Sequence, residues 1–173
     1  MMHHSLPLGK LSKTWFFVLV ISIVVLSYYI SANWYQLSLI RGDSMSPAYH
    51  NMQFVIIDRH SGDYTYDDVI AFRCDGLNSV LVKRIAACPG DTVVMKDGTL
   101  YVNDTISSVY AQEHTFEFAG IIENPLYLGT DQYFVIGDNI GESKDSRYDE
   151  VGSVDTEDII GKVIPHSSFD ITP

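Results

Sequence analysis

Acidic residues are absent before Asp43, and between Lys13 and Arg41 there is no charged residue of either sign. All 22 acidic side chains therefore follow that gap, in a chain whose net charge is -11. No basic stripe is present to neutralise a phosphate backbone, which excludes nucleic acid as a partner. Cysteine is scarce: Cys74 and Cys88 are the only two, and two thiols without well-spaced histidines make no zinc site. The six histidines (His3, His4, His50, His60, His114 and His166) sit in no motif, so no Ser-His-Asp arrangement is specified. No cofactor and no metal are expected. Internal repeats, low-complexity tracts and long amphipathic helical patterns are also missing.

What fills the charge-free gap is an apolar run from Trp15 to Ile30 with an uncharged flank to Trp34. At ~1.5 Å per residue it is long enough for a hydrocarbon core of ~30 Å. Trp15, Tyr28, Tyr29, Trp34 and Tyr35 suit the two interfacial belts. A cleavable leader ending near Ala32 is the competing reading, but the run is long and bulky and no small-x-small pair precedes the break. An uncleaved single-pass anchor over residues 14–34 is therefore expected. Lys10 and Lys13 hold residues 1–13 in the cytoplasm, and residues 35–173 form the domain on the other side.

That domain reads as many short strands: 53–58, 68–72, 80–86, 91–96, 99–103, 132–137 and 159–164. Asp97-Gly98 is a strong hairpin signal, because both residues tolerate positive φ. The expected fold is all-β, a compact antiparallel domain behind one N-terminal transmembrane helix. A second turn at Asp75–Asn78 would set Cys74 opposite Ser79. Cys88 would then lie ~30 Å further along an extended strand, so a disulfide is not expected. Residues 104–131 carry no readable pattern and are expected to be a flexible or substrate-facing excursion.

Two stretches carry chemistry. Gly42-Asp43-Ser44-Met45-Ser46-Pro47 places a hydroxyl just after an apolar segment. Val80-Leu81-Val82-Lys83-Arg84-Ile85 places an amine inside a strand. With period-2 alternation, Lys83 shares a face with Leu81 and Ile85, while Arg84 lies on the other face and is expected to reach water. A serine beside glycine and proline is by itself an ordinary turn residue, and a strand lysine commonly snorkels. An amine held in the core is different. Lowering its pKa from ~10.4 to near 7–8 costs about 4 kcal/mol, and a neutral amine can act as a base. Lys83 is read as the group that activates Ser44 as a nucleophile.

A third segment, Gly137-Asp138-Asn139 followed by Ser143-Lys144-Asp145-Ser146-Arg147, completes a pattern. With Lys83-Arg84-Ile85 and Pro89-Gly90-Asp91, these segments resemble the type I signal peptidases (leader peptidases), in the family's order and over about residues 13–165. The resemblance implies that Ser44 is the nucleophile and Lys83 the general base. It also implies that Ser143 hydrogen-bonds the lysine amine and that Asp145 and Arg147 form a supporting ion pair. Ala48 stands where the family usually has Thr, Asp67-Asp68 where it has Gly-Asp, and four residues separate Arg147 from Gly152. Gly42 stands where some members carry a hydroxyl that assists the oxyanion, which leaves mainly backbone N–H groups for that task.

The resulting expectation is a membrane-bound serine endopeptidase of the bacterial plasma membrane that removes signal peptides through an acyl-enzyme. Its partners are the lipid bilayer and secretory preproteins with small residues one and three positions before the cut. Met45 and Val82 are expected pocket walls. Because Ile40 leads directly to Ser44, the nucleophile would stand close to the outer membrane surface. A dedicated pilin-processing peptidase of the same mechanism and a silent peptide-binding β-domain are the alternatives.

Overall fold

The computed structural model describes residues 13–110 and 116–165. The expected cytoplasmic tail, but for Lys13, lies outside the described residues. Two units are distinct, one ending at Trp34 and one beginning at Tyr35. The first is a helix, α1 (Lys13–Trp34), long and apolar enough to cross a membrane. Its large apolar side chains are exposed, Ile21 and Val24 among them, as suits a helix surrounded by lipid rather than by protein.

The second unit is built from antiparallel strands. Seven form one sheet: β1 (Tyr35–Leu39), β2 (Phe54–Asp58), β3 (Val69–Cys74), β4 (Ser79–Ala87), β9 (Gln132–Ile136), β10 (Val154–Asp155) and β11 (Ile159–Val163), in the order β1-β2-β11-β3-β4-β9-β10. Four more form a second sheet: β5 (Thr92–Lys96), β6 (Thr99–Val102), β7 (Thr105–Ile106) and β8 (Leu126–Tyr127), in the order β7-β6-β5-β8. Each strand read from the sequence is present, within a residue or two at its ends. The Asp97-Gly98 hairpin joins β5 to β6, with Asp97 at φ 49° and Gly98 at φ 72°. Cys74 pairs across the ladder with Ser79, and both cysteines are free thiols.

The described part of residues 104–131, which the sequence left unread, is anchored rather than loose: it supplies Tyr110, Phe116, Ile122 and Leu128 to the largest apolar cluster, together with Leu100, Phe134 and Ile136. Four such side chains, each worth about 1.5–3 kcal/mol when fully buried, tie this segment to the sheet.

The partner change of β4 matters most for function. Ser79 to Arg84 pair with β3, whereas pairing with β9 starts only at Arg84 and runs to Ala87. The side of Ser79–Lys83 facing away from β3 therefore has no strand partner among the described residues.

Candidate active site

Ser44 lies in a tight turn that the sequence specifies locally. Ile40 donates to the carbonyl of Gln53 (2.9 Å) and its own carbonyl accepts from Met52 (2.9 Å). Gly42 follows at φ 86°, a conformation that disfavours any side chain, with its N–H held by Asn51 Oδ1 at 3.0 Å. Beyond the serine, Met45 is 1 % exposed and Tyr49 is buried in the cluster under β2, β3 and β11. The turn is thus pinned on both sides of its hydroxyl. From across the fold, the N–H of Asn139 donates to the Ser44 carbonyl at 3.0 Å. The N–H of Ser44 itself donates to no protein acceptor among the described residues.

Lys83 is 3 % exposed, and its Nζ lies 2.6 Å from Ser44 Oγ. Burial drives its pKa down from 10.5 to about 8, against the opposing pull of Asp145 and then Asp138. Desolvation penalises the ammonium more than two nearby carboxylates support it. At neutral pH and above, a useful share of the amine is neutral, with a lone pair aimed at the hydroxyl.

Asp145 and Arg147 form the ion pair that the resemblance implies. Arg147 Nε and Nη2 reach Asp145 Oδ1 and Oδ2 at 2.8 and 2.9 Å, and both residues are buried. The pair also fastens backbone: Asp145 Oδ2 accepts from Gly137 N–H at 3.2 Å, and Arg147 Nη2 donates to the carbonyls of Ile140 and Ser143. Phe116, from the segment the sequence left unread, stands 5.3 Å from the guanidinium.

Two expectations need correction. Ser143 Oγ is buried but makes no hydrogen bond among the described residues, so the implied contact with the lysine amine is not formed. The hydroxyl instead packs against Gly137, where an added Cβ would clash with it and come within 2.5 Å of the Ser44 carbonyl. Arg84 does not simply reach water. Its Nε and Nη2 clasp Asp138 at 2.7 and 2.6 Å, and Nη1 bonds the carbonyl and carboxylate of Asp67. This fork joins the strand that carries Lys83 to the turn that holds Ser44. The clasp between Arg84 and Asp138 is what sequence reasoning missed; alternation gave the face of Arg84 but not its partner.

Beside the pair opens a cavity of about 630 Å³. Residues 37–41 of β1 and its continuation line it, as do the unpaired stretch of β4, Ser44 and Lys83. Met45 and Val82 are also among the residues lining it.

An antiparallel β-domain that presents a hydroxyl to a buried amine beside an open groove has the layout of a hydrolase. The family model described as signal peptidase, peptidase S26, matches residues 12–166, and this makes the chain a peptidase. A signal peptidase I of Bacillus licheniformis is 33% identical over 152 residues, covering 82% of this chain and 81% of that one. Signal peptidase I U of Bacillus subtilis is 30% identical over 158 residues, covering 86% and 84%. The crystal structure of a signal peptidase I from Enterococcus faecalis is similar over 59% of this chain and 97% of its own, at 28% identity and a TM-score of 0.47. The chain belongs to the type I signal peptidase family.

Proposed function

We propose that this protein is a membrane-anchored serine endopeptidase that removes signal peptides from exported preproteins. The observation that carries the reading is the 2.6 Å approach of a buried amine to Ser44 Oγ. Neutral Lys83 takes the hydroxyl proton as Oγ attacks the scissile carbonyl carbon. The carbonyl oxygen gathers negative charge, and the free N–H of Ser44 is the first donor available to it. Lys83 then returns the proton to the leaving amine, the C–N bond breaks, and an ester on Ser44 remains. Water attacks the ester, Lys83 accepts its proton, and the released Ser44 oxygen takes that proton back.

The substrate lies extended along Ser79–Lys83, whose outer backbone groups are open to a further strand. Alternate side chains then point into the groove, where Met45 and Val82 leave room for small residues. Asp145, Arg147, Ser143 and the turn at Gly42 hold this geometry without entering the chemistry. The helix α1 anchors the protein in the bacterial plasma membrane with the catalytic domain on the extracytoplasmic side. The exposed Leu37, Phe54 and Val80 supply apolar surface at a bilayer interface.

Cleavage of a precursor carrying Ala-x-Ala before the cut, in detergent, tests the proposal. The parent protein should release the peptide, and Ser44→Ala and Lys83→Ala should each lose at least a thousandfold in rate. Equal cutting by either variant would remove that residue from the mechanism.

A further inference from the structure

The groove differs in charge from the rest of the chain. Acidic residues outnumber basic ones 22 to 11 overall, yet no Asp or Glu lines the cavity that holds Ser44 and Lys83. Its only charged side chains are Lys83, which works as a neutral amine, and Arg41. Arg41 is exposed and forms no ion pair among the described residues. The remaining wall is apolar or hydroxyl-bearing, with Leu37, Leu39, Val80 and Val82 among it. A permanently charged guanidinium with no ion-pair partner among the described residues, beside a groove lined by no carboxylate, can act as an electrostatic selector.

We propose that Arg41 is a specificity-determining residue that favours precursors with an acidic side chain next to the residue donating the scissile carbonyl. This rests on the proposed peptidase function. In an extended substrate, the side chain before the cut and the one two positions earlier enter the groove. The intervening side chain, and the first one after the cut, point outward. Those two pass the exposed rim, and a carboxylate on either can pair with Arg41. Such a rim pair is worth about a two- to fivefold preference at low salt, the range for exposed ion pairs. It should fade at ionic strengths where the Debye length falls to about 3 Å.

The test uses the full chain in neutral detergent and Ala-x-Ala precursor peptides differing only at the two outward positions, with Asp, Asn or Lys at each. kcat/KM ratios are measured for the parent, Arg41→Gln and Arg41→Glu. The parent should prefer Asp to Asn by two- to fivefold at one outward position. Arg41→Gln should bring that ratio to one, Arg41→Glu should invert it in favour of Lys, and 1 M salt should abolish it. An Asp/Asn ratio of one at both positions in a parent that cuts well overturns the inference and leaves the peptidase reading intact. A ratio of one, combined with rates that depend on Arg41 only when anionic lipid vesicles are added, overturns it in favour of a lipid contact. If the parent cuts none of the peptides, both readings fall.

Discussion

The amine nitrogen of Lys83 stands 2.6 Å from the hydroxyl oxygen of Ser44, although 39 positions of chain separate them. Three separate devices bring them together. The turn around Ser44 is pinned by Ile40 and Met45, Lys83 is delivered where β4 parts from β9, and the Gly137–Asn139 turn is bonded to both. Arg84 fixes that turn to the strand of Lys83 through Asp138, and Asn139 fixes it to the Ser44 carbonyl. The lysine donates to the hydroxyl, as an ammonium must. Loss of one proton reverses the roles along the same line.

The first prediction concerns pH. With the Lys83 pKa lowered to about 8, kcat/KM should rise through that value and level off above it. Asp138 holds this pKa up by its charge, so Asp138→Asn should move the rise to lower pH. A pH–rate profile on both proteins checks this; an unmoved midpoint, or a shift upward, would remove Asp138 from the electrostatics of the base.

Stability should rise with pH as activity does, but over the range between the folded and unfolded values of the lysine. A lysine whose folded pKa lies below its unfolded value favours folding most above pH 10.5. Its contribution falls as pH drops toward about 8 and is flat below that. The full drop is about 3 kcal/mol. Lys83→Met should therefore remain folded at pH 7, gain roughly 1–3 kcal/mol in urea unfolding, and be inactive. A less stable Lys83→Met variant would show that the amine is better satisfied than its burial indicates.

Asp145 and Arg147 behave as a unit. Asp145→Ala leaves a buried guanidinium without its counter-charge and frees the N–H of Gly137, at a cost of about 3–5 kcal/mol. Denaturant midpoints measure the loss. Replacing both residues by apolar side chains of similar volume should cost less than the single change, and a larger loss in the double variant would contradict this account.

Gly137 has no space for a side chain, since a methyl group would meet Ser143 Oγ and the Ser44 carbonyl. Gly137→Ala should cut activity at least tenfold and lower the melting temperature. Ser143→Ala in the parent should leave stability within about 0.5 kcal/mol or raise it, because the hydroxyl it removes is unsatisfied. Gly137→Ala/Ser143→Ala should recover part of what Gly137→Ala loses. No recovery would mean that the carbonyl clash dominates.

Local pattern made most of this fold readable, while contacts distant in sequence did not. Alternation located β2, β3, β4, β9 and β11, and it put Lys83 on the correct side of β4. It could not mark β1, whose five residues continue directly from the helix with no breaker between them. Nor could it read 104–131, where apolar residues are spaced by turns and find their cluster only in three dimensions. Arg84 shows the same limit: its partner Asp138 is 54 positions away, and nothing within a window of ten residues distinguishes a clasped guanidinium from a solvated one. The Ser143 contact failed for a different reason. The resemblance supplied a residue type at the right place, but the direction of a hydroxyl depends on its packing, here against Gly137.

The bare rim of Ser79–Lys83 has a consequence for timing. Peptide groups in a finished domain are already committed to one another, so such a domain has nothing to lend the rim. On the proposed function, only slack chain could dock there, and the interval open to cutting would close as each cargo folds.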